Sequence, residues 1–339
     1  MYLKEITMTK SLLALITAFT VCAIIMPFII KLTKKLKLRQ TVLNYVDNHA
    51  GKTGTPTMGG VGFVLVSSAL CFLYSSGSNS LMAMTAILTL CFGIIGFIDD
   101  FIKVYFHRNE GLTARQKLLF QIAVSLIIAF FVYNNSLVGD KLYLPFTMNE
   151  ISLGYFAVPF YALVFIAMSN GVNLTDGLDA LASKTAIAYT VFFTAILAVI
   201  VYGVGVSETV SQEYSNLIIF CLVLIGSLCA FLLFNGYPAN IFMGDTGSLA
   251  LGGALAGLAV MSKMSLTAPI IGVVYVFTCL SDIIQVIHFK RTGKRVFKMA
   301  PFHHHLERSV LHENKIVTIY TLTTFFFGAL TLLITVSIF

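Results

Sequence analysis

Asp99 and Asp100, with Lys103 one turn on, close the third long apolar run of the chain. On a helix, adjacent residues point about 100° apart, so one acid can face a site squarely while the other turns aside. Lys103 stands at i+4 from Asp99 and i+3 from Asp100, so the group also reads as an ion-paired helix end. A second acidic segment, Asn173-Leu174-Thr175-Asp176-Gly177-Leu178-Asp179, follows the fifth run. On a helix Asp176 and Asp179 share a face; Asn173 with Asp176 also fits a cap. The third segment runs from Asn235 through Gly236, Pro238, Asn240 and Phe242 to Gly244-Asp245-Thr246-Gly247-Ser248, where irregular backbone leads into an apolar helix. Backbone N–H groups at such a start suit phosphate, and a lone Asp suits a cation or a cap. The fourth, Pro301-Phe302-His303-His304-His305-Leu306-Glu307, lacks the i, i+4 spacing of a helical zinc pair and has no Cys nearby. Contact with phosphate oxygens or a solvated loop are its two readings. Lys52-Thr53-Gly54-Thr55-Pro56-Thr57-Met58-Gly59-Gly60 is only loosely like a phosphate loop, since the Gly-Lys-Ser/Thr ending is missing.

The elements that position these residues follow from composition. Of 339 residues 58% are hydrophobic and 11% charged, with mean hydropathy +0.89. A soluble domain carries about 25% charged residues. The numbers exclude a soluble fold and a disordered chain, and point to a helical, polytopic membrane protein. Cys22, Cys71, Cys91, Cys221, Cys229 and Cys279 all sit in apolar runs and read as packing residues. A span needs about 20 mostly apolar residues. Ten are expected, at 11–31, 57–75, 81–99, 117–134, 153–170, 185–205, 216–235, 247–262, 268–288 and 316–338.

Eighteen of the 22 Lys and Arg fall in the loops after odd-numbered spans; Lys4, Lys10, Lys141 and Lys263 are the exceptions. Basic loops stay in the cytoplasm, which places both termini outside. The net charge of +7 is thus accounted for by inner loops rather than by a nucleic-acid partner. Residues 141–152 on the outer side have strand-like composition and suggest a small β-hairpin, with Pro145 against it. The chain reads as one transmembrane unit, 1–339. Its inner loops 31–56, 100–116, 171–184, 236–246 and 289–315 would form the active face. Transporters place ionisable groups near the midplane, whereas these acids sit at span ends on one side. That favours an interfacial enzyme joining a water-soluble anion to a lipid, over a transporter or a scaffold.

Taken together, Gly54-Thr55-Pro56-Thr57-Met58-Gly59-Gly60, Asp99-Asp100 with Lys103, 173–179, Phe242-Met243-Gly244-Asp245 and Met299-Ala300-Pro301-Phe302-His303-His304-His305 resemble the phospho-N-acetylmuramoyl-pentapeptide transferase family. The wider group of polyprenyl-phosphate sugar-1-phosphate transferases shares the acidic motifs. The chain departs from the family's usual pattern in having no Trp after the His run and an acid at Asp282 rather than at Thr278.

The resemblance implies an enzyme of the bacterial plasma membrane with a cytoplasmic active site. Undecaprenyl phosphate would attack UDP-N-acetylmuramoyl-pentapeptide, giving lipid I and UMP with Mg²⁺ as cofactor. It implies Asp245 as metal ligand and Asp99, Asp100, Asp245, His303 and His304 as the catalytic set. Lys103, Arg115 and the His residues would meet phosphate charge. Asn173, Asp176, Asp179, Asn235 and Phe242 would form the uridine end, Lys52 and Thr57 would lie near the sugar phosphate, and His305 joins the substrate-binding set. Membrane lipid and a second copy of the chain are the other partners it suggests.

Overall fold

A computed structural model of the chain describes residues 2–36, 38, 54–75, 80–106, 111–147, 149–203 and 205–338, with backbone alone over 2–8. Twelve helices occur among them: α1 (Tyr2–Lys35), α2 (Gly60–Tyr74), α3 (Leu81–Tyr105), α4 (Ala114–Tyr133), α5 (Ala157–Thr175), α6 (Leu181–Gly203), α7 (Glu208–Asn235), α8 (Gly244–Met261), α9 (Ala268–Ile271), α10 (Val273–Thr292), α11 (Phe302–Glu307) and α12 (Glu313–Ile338). Uncharged apolar runs become helices because only a helix satisfies its own backbone polar groups in lipid. Eight of these helices are long and apolar enough to cross a membrane, which makes the chain a multi-pass membrane protein. The second and eighth expected runs correspond to α2, with 15 residues, and to α8, whose first turn is polar and whose body is rich in Gly.

α8 is the axle of the bundle. Every residue from Thr246 to Met261 is buried, as expected for a helix that is apolar on all sides. α3 and α5 flank it, α1 packs on α7, and α6 lies against α7 and α12. α4 and α10 both lean on α5. The outward faces stay apolar: Phe28 is 69% exposed, Leu119 65% and Phe326 61%, which marks them as lipid-facing. The ninth expected run is broken at Gly272 between α9 and α10, and α10 continues to a left-handed cap at Gly293.

Between α4 and α5, Lys141–Tyr143 (β1) and Glu150–Ser152 (β2) pair antiparallel with Leu142 opposite Ile151. The expected hairpin forms because Pro145 falls in the connection rather than in a strand. All six cysteines are free thiols, buried or half-buried, in keeping with a packing role.

Candidate active site

Asp99 and Asp100 lie in the last two turns of α3 and Asp245 in the first turn of α8. One carboxylate oxygen of each lies within 4.8 Å of the other two. This approach depends on Gly96: a Cβ there would stand 2.1 Å from the Asp245 carbonyl oxygen.

The two adjacent acids divide their work as the helix geometry requires. Asp100 turns to the start of α8. Its Oδ1 accepts from the Asp245 N–H at 3.2 Å, and its Oδ2 from the Thr246 N–H at 2.9 Å and hydroxyl at 2.7 Å. It thereby satisfies N–H groups that a helix start leaves open and sits where the helix dipole favours an anion. Gly244, at φ +76°, takes the backbone through a conformation that side chains resist, and a Cβ there would stand 2.7 Å from Asp100 Oδ2. With capping supplied from α3, the Asp245 side chain is left for other partners.

Those partners are cations and an amide. Lys103 Nζ lies 2.7 Å from Asp245 Oδ2, 2.6 Å from Asp99 Oδ2 and 4.0 Å from Asp100 Oδ1. Lys117 Nζ lies 2.8 Å from the same Asp245 oxygen and 3.6 Å from Asp99 Oδ1. Asn173 Nδ2 donates to Asp245 Oδ1 at 2.8 Å and to Ser248 Oγ at 2.8 Å. The Leu112 N–H donates to Asp99 Oδ1 at 3.0 Å. Three carboxylates thus meet two ammonium groups, which leaves a formal negative charge at the end of the bundle.

The 173–179 segment is not one helical face. α5 ends at Thr175, and the chain turns through Asp176, Gly177 and Ala180, the last at φ +64°. Burial, with Asp245, Asp100 and Asp179 nearby, pushes the Asp176 carboxyl well above the usual carboxylate range. Asp179 is buried; its Oδ2 accepts from the Ala239 N–H at 3.0 Å, and its own N–H donates to Glu313 Oε1 at 2.6 Å. Asn235 is spent on the next loop, donating to the Ile241 carbonyl at 3.1 Å and accepting from Ser183 Oγ at 3.2 Å.

Phe242 is half-buried, and its backbone forms part of a short strap: it donates to Pro56 O and accepts from the Gly59 N–H, both at 2.9 Å. Thr57 is buried in that strap beside Gly244.

The His run folds as α11. His303 is fully buried with its Nε2 against Gly177, and burial together with His304 holds its ring well below the usual His range. His304 Nδ1 lies 3.0 Å from Glu307 Oε2. His305 Nδ1 accepts from the Lys298 N–H at 3.0 Å, and its ring stacks on Phe302 at 5.3 Å.

The structure therefore gathers Asp99, Asp100, Asp245, Lys103 and Asn173 at one point and sets Asp176 near them, while His303 packs against Gly177. Arg115 stays exposed on the first turn of α4, and Lys52 lies outside the described residues. Lys117 and Glu313 belong to the site although none of the chemistry-bearing segments singled out in the sequence contains them. Lys117 carried a signal: it follows the capping box Thr113-x-x-Gln116 in the first turn of α4. A cation there opposes the helix dipole and needs an anion nearby.

The chain matches the family model described as Glycosyl transferase family 4 over residues 81–263. It is 42% identical over 318 residues to a phospho-N-acetylmuramoyl-pentapeptide-transferase of Clostridium novyi (strain NT), covering 94% of each chain. It is 41% identical over 327 residues to a protein of the same name from Clostridium perfringens (strain ATCC 13124), covering 96% of this chain and 97% of that one. A third protein of that name, from Caldanaerobacter subterraneus subsp. tengcongensis, is 40% identical over 319 residues, 93% of this chain and 95% of the relative. The region matched by the family model contains the acids of α3, both lysines, Asn173 and Asp245. On this evidence the chain belongs to the phospho-N-acetylmuramoyl-pentapeptide transferase family, within glycosyl transferase family 4.

Proposed function

We propose that the chain transfers phospho-N-acetylmuramoyl-pentapeptide from UDP-N-acetylmuramoyl-pentapeptide to undecaprenyl phosphate, forming lipid I and releasing UMP in peptidoglycan synthesis. The observation that carries this reading is the meeting of Asp99, Asp245, Lys103 and Lys117 at one end of the bundle, in a chain of this family. The basic loops after odd-numbered spans support a ten-span chain with this end in the cytoplasm.

A phosphomonoester loses its second proton near pH 6, so the lipid phosphate is already largely dianionic at neutral pH. The harder task is to bring it to another anion, which is done by positioning and charge neutralisation. Lys103 and Lys117 supply two fixed positive charges for the phosphate oxygens, with His304 a third donor near the same loops. Asp99 takes any remaining proton from the attacking phosphate or steadies the cation. Asp100 acts one step back, by holding the start of α8 and so the aim of Asp245. Asp176 and Phe242 form the uridine end, where the Phe242 ring stacks on the base; Asn173, Asp179 and Asn235 hold that end in shape.

The cluster fits a divalent ion. Its donors are carboxylate oxygens, the set Mg²⁺ prefers, and the three carboxylates outnumber the two ammonium groups paired with them. Asp245 and Asp99 would hold Mg²⁺, which when bound neutralises charge between the two phosphate-bearing substrates. The test is UMP release in detergent from both substrates, with and without Mg²⁺. Release that needs both substrates and the metal is expected; vesicle uptake of the nucleotide without UMP release would favour a transporter instead.

A further inference from the structure

One polar contact inside the bundle is not used by the chemistry above. Gln121 on α4 and Asn170 on α5 bind each other through their amides. Asn170 Nδ2 donates to Gln121 Oε1 at 2.9 Å, and Gln121 Nε2 donates to Asn170 Oδ1 at 3.4 Å. Asn170 Nδ2 also donates to the Ile166 carbonyl at 2.8 Å, which fixes its rotamer. Gln121 is 1% exposed. Paired amides between membrane helices act as glue, and by itself this pair would be that and no more.

Its register gives it a second role. Lys117 precedes Gln121 by four residues on α4, and Asn173 follows Asn170 by three on α5, so each shares a helix face with its neighbour. Lys117 and Asn173 hold opposite oxygens of Asp245, Oδ2 and Oδ1, each at 2.8 Å. The two helices thus grip each other one turn away from the point where they grip Asp245. At this end α4 is otherwise fixed by polar contacts, the Leu112 N–H on Asp99 and the Lys117 ion pairs, rather than by apolar packing. Its buried stripe is Gln121, Ser125, Ile128, Ala129 and Val132, polar near Lys117 and apolar only farther along. Leu118, Leu119 and Phe120, on its remaining faces, are exposed. Lys117 also sits in the first turn, where the helix dipole disfavours a cation, so its place is not set by α4 itself.

We infer that the Gln121–Asn170 pair is a positioning bracket that sets the distance of the Lys117 ammonium, and of the Asn173 amide, from Asp245. Neither residue touches the reacting groups; both act through their neighbours one turn on. The inference rests on the proposed transferase reaction and adds two residues to it.

The experiment measures UMP release and its Mg²⁺ dependence for wild type, Gln121→Leu, Lys117→Ala and the double variant. Gln121→Leu is expected to lower turnover about tenfold and to shift the Mg²⁺ concentration for half-maximal rate, since a misplaced group of this kind loses about one to two decades. Lys117→Ala should then cost at least several-fold less in the Gln121→Leu background than in wild type, because the bracket works through Lys117. The exchange Gln121→Asn with Asn170→Gln keeps an amide pair and should return the rate to within about threefold of wild type. If Gln121→Leu does not fold in detergent, Asn170→Ala, which removes the same amide pair from the α5 side and adds no charge, is read by the same coupling to Lys117→Ala. Unchanged rate and Mg²⁺ dependence, or losses that multiply in full, overturn the bracket while leaving the reaction standing. A wild-type chain that releases no UMP overturns the functional reading instead.

Discussion

At the hairpin end of the bundle, Glu150 lies between two lysines, 3.2 Å from Lys141 and 2.7 Å from Lys263. At the other end, Asp245 also lies between two lysines, 2.7 Å from Lys103 and 2.8 Å from Lys117. The two groups look alike as contacts and differ in the acids that stand beside them. Glu150 is the one acid within ion-pair distance of these lysines among the described residues, its side chain is 30% exposed, and the Lys263 ammonium holds its carboxyl below the usual range. Strand pairing and the Tyr143 N–H on the Lys263 carbonyl at 2.8 Å fasten the same place without charge. Asp245 instead shares its lysines with Asp99, whose side chain is only 2% exposed, and Asp100 crowds in behind. Water screens the first group, and such pairs contribute about 0–1 kcal/mol. The second has more carboxylate than cation, and Asp99 and Asp100 are buried although Asp245 and its lysines keep part of their exposure; that arrangement costs stability, and a divalent ion would relieve it. Charge balance and hydration, rather than the number of salt bridges, separate a fastening from a reaction centre.

Asp245→Ala removes the acid shared by both lysines and is expected to lower UMP release at least about a thousandfold at every Mg²⁺ concentration. Full recovery in excess Mg²⁺ would put the metal elsewhere. Lys117→Ala should cost about a hundredfold in turnover, read in the same assay with both substrates saturating. Phe242→Ala should raise KM for the uridine nucleotide about tenfold and leave kcat within a fewfold, since stacking on the base acts in the ground and transition states alike.

His303 sharpens the account through pH. Its ring is neutral in the fold, whereas in the unfolded chain it takes a proton below about pH 6.5. The unfolded state then binds more protons, so this contribution is intact above that pH and declines as pH falls. The Tm in detergent should drop between about pH 7 and 5, and His303→Gln should flatten that slope. The smallest effect belongs to the hairpin: Glu150→Ala should change turnover less than about twofold and stability by under about 1 kcal/mol. A large loss of activity from Glu150→Ala would mean that the two ends are not as different as their surroundings imply.

Much of this was legible in the sequence, and the gaps have physical causes. That one of Asp99 and Asp100 must turn aside follows from helix geometry, and the structure sends Asp100 to the start of α8. That Asp245 is free of a capping role could not be read locally, because its replacement as cap comes from 145 positions earlier in the chain. Lys117 stands at the edge of an apolar run, and its importance lies in a contact made across three helices. Asp176 and Asp179 fit a helical face by spacing, but α5 stops at Thr175 and a turn replaces that face. Three successive His gave no hint that they would separate into a buried ring, a carboxylate partner and a backbone acceptor. The hairpin survived a proline because the proline fell between strands.

The proposed reaction depends on a divalent cation held by Asp245 and Asp99. Mn²⁺ bound to the purified chain, followed by electron paramagnetic resonance in the presence of the uridine nucleotide, tests this without turnover. One ion per chain is predicted for wild type, with at least about a tenfold loss of affinity in both Asp245→Asn and Asp99→Asn. Binding by both variants indistinguishable from wild type would contradict the account.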